Sequence, residues 1–198
     1  MTKRPIPAAP SVLTPIATPE LNALIAKGKS DPSALRTLRC RTVATGRLHQ
    51  LNYIRSLPPQ PVVVDEPAGL LAEDIAPNAS EALLAAFGSC LAVGIHATAM
   101  ARRIPIRRLE LELEADLNTT AVWGTGEMEP KPIGFEAVRV SVRLDADASR
   151  EALDALIKHA TLWSPVANTL HNPVHLDVVL THAVDVPTGP MGGEPSIL

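Results

Sequence analysis

Apolar and polar residues alternate most cleanly between Arg108 and Leu117. Leu109, Leu111, Leu113, Ala115 and Leu117 face one way, and Glu110, Glu112, Glu114 and Asp116 face the other. A period of two is the pattern of a half-buried strand. Phe135 to Leu144 repeats it, with Val138, Val140, Val142 and Leu144 inward and Arg139, Ser141 and Arg143 outward. Pairing these two runs would set arginines beside carboxylates. Looser alternation predicts strands at Thr37–Val43 and Leu48–Ile54, with a turn at Thr45-Gly46. Prolines 58, 59 and 61 make a loop, and Val62–Asp65 is a third short strand ended by Glu66-Pro67. Val174–Leu180 reads as a last strand.

Helical patterns fill the gaps between the strands. Asn78-Ala79-Ser80-Glu81 is a capping box, in which Asn78 caps and Glu81 at N3 answers it. The helix it opens runs to about Arg103. It is apolar nearly all round, which predicts burial between two sheets or at a subunit interface. Ser149 opens a second helix with Leu153, Leu156, Ile157 and Ala160 on its stripe. Ser164-Pro165 is an N-cap with Pro at N1, starting a short third helix. Ahead of all this, residues 1–19 carry five prolines. Thr18 or Pro19 then opens a short helix with Leu21, Leu24 and Ile25 on one stripe and Gly28 as a stop. The class is α+β. The organisation predicted is an arm and short helix at 1–35, one domain at 36–186 and a loose Pro/Gly-rich tail at 187–198.

Composition narrows the function. With 18 Lys+Arg against 21 Asp+Glu the formal charge is −3. That balance lacks the basic excess of a dedicated nucleic-acid binder. Two Trp, two Phe and one Tyr are too few for base-stacking platforms. No run of 18 apolar residues and no signal-peptide core is present, so neither a spanning helix nor export is expected, and the reading is cytoplasmic. Cys40 and Cys90 make neither a disulfide framework nor a zinc site. Carboxylates at 110, 112, 114 and 116 stand about 6.8 Å apart along a strand, too far to clamp one small ion, and read as a salt-bridged face. The six histidines form no ligand motif, and no metal or cofactor is expected.

Asn78-Ala79-Ser80-Glu81-Ala82-Leu83-Leu84-Ala85-Ala86-Phe87-Gly88-Ser89-Cys90 resembles the Asn-Pro-Glu-Glu-Leu-Leu-Leu-Ala-Ala-x-x-x-Cys signature of the OsmC/Ohr thiol peroxidases. Trp163-Ser164-Pro165-Val166-Ala167-Asn168 is similar to that family's second motif, Cys-Pro-Val or Cys-Pro-Tyr. The resemblance spans about residues 36 to 182. It implies an OsmC-like fold, with two sheets wrapped around long central helices in an intertwined homodimer. It also implies active sites at the dimer interface. Carried onto this chain, Cys90 stands at the peroxidatic position and Ser164 replaces the resolving cysteine. The catalytic Glu falls on Ser80, with Glu81 one place off. Arg47 is the first candidate for the activating arginine and Arg55 the second. Trp163 and Phe87 are candidates to wall a pocket near the thiol, with Trp123 a weaker one.

Cys90 thus has two readings. It is either a small hydrophobe in a packed helix or a nucleophile that needs a nearby cation. Cys40 is a core or arm-covered strand residue, or a relocated resolving thiol, if the two Cα atoms come within about 6 Å. The functions implied are a one-cysteine reductase of organic or small hydroperoxides, served by an external thiol, or a non-catalytic binder of a small apolar ligand. Both are homodimers without nucleic-acid or membrane partners.

Overall fold

The computed structural model describes residues 17–30, 37–38, 40–45, 49–54, 61–117 and 134–180. In chain order they form α1 (Thr18–Ser30), β1 (Cys40–Thr45), β2 (His49–Ile54) and β3 (Val62–Val64). A 3-10 turn at Ala68–Leu70 leads to α2 (Ala79–Ala101), β4 (Ile106–Leu117), β5 (Phe135–Ala146), α3 (Arg150–Leu162) and α4 (Pro165–His171). The class is α+β, as the patterning predicts. The described residues fall into two units, those within 1–32 and 84–172 and those within 33–83 and 173–198.

In the first unit, β4 and β5 pair antiparallel. Leu109 faces Leu144, Leu111 faces Val142 and Leu113 faces Val140, while Glu110 faces Arg143 and Glu114 faces Arg139. On the polar face Arg139 reaches Asp116 at 2.6 Å, Arg143 reaches Glu112 at 2.9 Å and Arg107 reaches Asp145 at 2.6 Å. The carboxylate row is therefore held by arginines. Each exposed pair is worth little by itself, so the sheet is held mainly by its other face. There Ile95 and Ala99 of α2 and Leu156 and Ala160 of α3 form a buried core, with Leu109, Leu111, Val142 and Leu144 packed against it.

Small residues set how closely these layers approach. A Cβ on Gly94 would lie 3.4 Å from Ala160 Cβ, so α2 meets α3 almost backbone to backbone. A Cβ on Gly88 would lie 2.9 Å from Leu113 Cδ1, inside any ordinary contact. Helix α3 starts where the sequence predicts. Ser149 Oγ accepts a hydrogen bond from Ala152 N at the head of α3.

Helix α2 is covered on one side only within a single copy of the chain. Its buried residues are Phe87, Gly88, Leu91, Ile95 and Ala99, a single stripe, while Val93 is 69% exposed. A sheet and one helix can cover only one side of a cylinder, so an all-round apolar helix keeps an open face in a single copy of the chain. The helix is also long and apolar enough, by length and composition, to cross a membrane. The lack of an unbroken apolar run therefore does not by itself exclude a spanning helix. The helix ends with Arg103 in the left-handed region at φ 60°, and Ile104 N donates back to Ala99 O at 2.9 Å.

Helix α1 runs two residues beyond Gly28, to Ser30, whose Oγ donates to Lys27 O at 2.8 Å. That contact satisfies a terminal carbonyl and extends the last turn. Of its predicted stripe only Leu21 is buried, and Leu24 and Ile25 are exposed.

The second unit holds the antiparallel sheet β1–β2–β3, with Cys40 opposite Ile54 and Leu51 opposite Val63. After β3, the buried Asp65 pins the following loop: its Oδ2 accepts from Ile75 N and its own N–H donates to Pro77 O, both at 3.2 Å. The capping box forms as predicted. Asn78 Oδ1 accepts from Glu81 N and Glu81 Oε2 accepts from Asn78 N, both at 2.8 Å. The predicted strand at Val174–Leu180 is not formed. Among the described residues the segment lies outside any ladder, and Val174, Leu176, Val178, Val179 and Leu180 are exposed. Strand periodicity becomes a strand only where an edge supplies the missing hydrogen bonds.

Candidate functional site

The corner between α3 and α4 carries the most specific arrangement in the first unit. Trp163 closes α3 and Ser164 caps α4, with Pro165 in the first turn. Proline suits that position because its missing N–H would have no partner there. Ser164 Oγ accepts from Ala167 N at 3.1 Å, which is the capping bond. The same oxygen donates to Cys90 Sγ at 3.2 Å. Ser164 is 3% exposed, and Cys90 is half-buried on α2. The two motif positions, 74 residues apart, therefore meet side chain to side chain.

A neighbour holds this corner in shape. Asn168 Nδ2 donates to Leu162 O and to Ser164 O, both at 2.9 Å. Those carbonyls flank Trp163 and Ser164, so one amide fixes the backbone that presents the hydroxyl. The sequence motif includes Asn168, but spacing alone assigns it no role. Its signal is an amide one turn after an N-cap, a position from which it can bond back to the capping residue.

The other predicted site residues fall as follows. Phe87, three residues before Cys90, lines an apolar cavity of about 300 Å³ with Leu91 and Ile95 of α2, Val140 of β5 and Ile157 of α3. Thr161, also at its wall, donates its hydroxyl to Ile157 O at 2.9 Å, and the other side chains at the wall are apolar. Trp163 stands elsewhere: it is 72% exposed, and its ring lies 6.1 Å from that of His159. Glu81 has its carboxylate engaged by the capping box. Arg47, Arg55 and Trp123 lie outside the described residues. Neither Cys40 nor Cys90 is half of a disulfide. Among the described residues no three His, Cys, Asp or Glu side chains gather in a way that would hold a metal ion.

This arrangement suits sulfur chemistry. The Cys90 sulfur sits mid-helix, with a buried hydroxyl donating to it and a cavity lined by its neighbours Phe87 and Leu91. A serine cannot close a disulfide, so an oxidised Cys90 could not be resolved from position 164.

A family model described as OsmC-like protein matches residues 72–179, over half of the chain. No curated protein matches. Among solved structures, the OsmC-like protein of Mycoplasma pneumoniae is 16% identical, with a TM-score of 0.58 over 75% of this chain and 100% of its own. An organic hydroperoxide resistance protein OsmC from Legionella pneumophila is 18% identical, with a TM-score of 0.50 over 70% and 91%. An OsmC-like protein of unknown function from Vibrio cholerae is 10% identical, with a TM-score of 0.53 over 68% and 94%. At such identities the likeness is one of fold.

Proposed function

The chain belongs to the OsmC-like protein family, and on that premise we propose that it reduces organic or small hydroperoxides through Cys90. The observation that carries the reading is the meeting of Cys90 and Ser164 at 3.2 Å, on the two motif positions where the family's chemistry resides. Cys90 attacks the terminal peroxide oxygen as the thiolate. An S–O bond forms, the O–O bond breaks and an alcohol leaves with a proton. Sulfur loses two electrons and the peroxide gains them. Arg47 or Arg55 stabilises the thiolate. Because position 164 is a serine, an external thiol completes the cycle. The protein works in the cytoplasm as a homodimer, in keeping with the open apolar face of α2.

The test mixes reduced protein with one equivalent of an alkyl hydroperoxide and follows mass and thiol count, with Cys90→Ser as control. Rapid gain of one oxygen at Cys90 is expected. Reaction no faster than that of a free thiol in solution would sink the enzyme reading.

A second reading is supported by the cavity. Its volume of about 300 Å³ and apolar walls suit a small apolar molecule, so the fold would serve as a binder. Saturable uptake of such a molecule by a protein whose Cys90 is inert would favour it.

A further inference from the structure

Resting on the reading of Cys90 as the attacking thiol, we infer that the Ser164 hydroxyl is a positioning group that holds the oxidised form of Cys90, giving the chain a lasting sulfenate for an incoming monothiol. The contacts on Ser164 leave its proton available to the sulfur. Its Oγ accepts the Ala167 amide at 3.1 Å and lies 3.2 Å from Cys90 Sγ. With the helix amide on one lone pair, the hydroxyl proton is left to be given to the sulfur. Asn168 ties the carbonyls on either side of Trp163, at Leu162 and Ser164, so the hydroxyl cannot swing away without opening the corner. At 3% exposure, little water competes for that proton.

The chemistry then turns on what position 164 can do. Attack on the peroxide leaves one new oxygen on Cys90 Sγ, a single bond from an atom already in contact with Ser164 Oγ. An O–H donor binds an anionic oxygen more strongly than it binds sulfur, so the contact tightens on oxidation. A cysteine at this place would condense with the sulfenic acid, forming an S–S bond and releasing water. A serine has no such reaction and can only donate. The sulfenic acid is instead consumed by a monothiol, which forms a mixed disulfide with Cys90 and releases water. A second monothiol attacks the first, restores the Cys90 thiol and leaves as the symmetric disulfide.

The experiment uses the full chain, an excess of cumene hydroperoxide and no thiol, and follows the mass of the Cys90 peptide with time. Dimedone trapping marks the sulfenate. Ser164→Ala should shorten the sulfenate lifetime by about tenfold, the size of one hydrogen bond to a charged group, with a second oxygen appearing sooner. Ser164→Thr keeps both cap and hydroxyl and should restore the lifetime. Ser164→Asp keeps the cap acceptor but has no proton to give at neutral pH, and should behave as Ser164→Ala. Thermal unfolding of each variant reports the cap separately. Equal lifetimes in the wild type and Ser164→Ala, or a wild-type lifetime in Ser164→Asp, would overturn the positioning role while leaving Cys90 the nucleophile. Absence of any oxygen on wild-type Cys90 would overturn the nucleophile itself.

Discussion

Ser164 Oγ and Cys90 Sγ lie 3.2 Å apart, joining the α3–α4 corner to the middle of α2. A thiol placed at 164 would need only a small further approach to reach a disulfide bond length near 2.05 Å. Ser164→Cys should therefore close a disulfide with Cys90 under mild oxidant. The loop it closes, spanning 74 positions, should make the oxidised variant about 3–5 kcal/mol more stable than its reduced form. Thiol titration and peptide mapping check the bond, and denaturant unfolding checks the gain. Three reduced thiols after oxidation, Cys40 among them, would show that the side chains do not meet in solution as they do here.

Asn168 supports that contact through its two bonds to Leu162 O and Ser164 O. At about 0.5–1.5 kcal/mol net for each bond, Asn168→Ala should cost about 1–3 kcal/mol. It should also shorten the lifetime of the Cys90 sulfenate, since the corner presenting Ser164 is loosened. Unfolding curves and dimedone trapping on the same preparation check both. A stability loss with an unchanged sulfenate lifetime would assign Asn168 to folding alone.

Arg103 ends α2 at φ 60°, a conformation that costs an L residue about 1–2 kcal/mol and glycine almost nothing. The backbone bond from Ile104 N to Ala99 O survives any side chain at 103. Arg103→Gly should thus stabilise the fold by about 0.5–1 kcal/mol, after the extra freedom glycine gives the unfolded chain. The midpoint of urea unfolding measures it. A loss would mean that the Arg103 side chain contributes more than the strain it imposes.

On the outer face of β4–β5, hydrogen bonds from arginines hold three carboxyls below their ordinary values. Arg108 acts first on Glu110, Arg139 on Asp116 and Arg107 on Asp145. Folded values below the unfolded ones make these groups stabilising at neutral pH. That contribution fades as pH falls through the unfolded values of 3.8 and 4.5 and on through the lower folded ones. Stability should therefore drop below about pH 4.5, and Asp116→Asn should flatten the drop. Because the pairs are exposed, salt should weaken the same contribution. A pH profile unchanged by Asp116→Asn would place the acid sensitivity elsewhere.

Local chemistry made much of this fold legible. The capping box at Asn78 and Glu81, the Ser149 cap and the Ser164-Pro165 start each need only three or four adjacent residues, and each is found where those residues stand. The alternation over β4 and β5 likewise predicted which residues pair with arginines. The Cys90–Ser164 contact was legible only as two motif positions, because no local rule brings residues 74 apart into touch. What covers α2 was left open for a related reason. An apolar surface says that something covers it, but not whether this chain supplies the cover. Trp163 shows the reverse: its place in the motif suggested a pocket wall, yet as the C-cap residue of α3 it projects outward against His159.

Val174–Leu180 offers the last test, because its pattern and its surroundings disagree. Val174, Leu176, Val178 and Leu180 alternate as in a strand, yet Val178 is 91% exposed and Leu180 99%. Five exposed apolar side chains in seven residues are costly in water, and an extended backbone without a ladder is an open template for pairing. We predict that in the proposed homodimer this segment adds as a strand to a sheet edge of the second copy. The chain should therefore sediment as a dimer. The backbone amides of 174–180 should exchange slowly at high protein concentration and quickly on dilution below the dissociation constant. Val178→Pro, which removes one ladder donor and fixes φ, should weaken the dimer without unfolding the α2–α3 core, whose buried residues lie at 95–160. A monomer with fast exchange across 174–180 at every concentration would rule out strand addition and leave those apolar side chains for another partner.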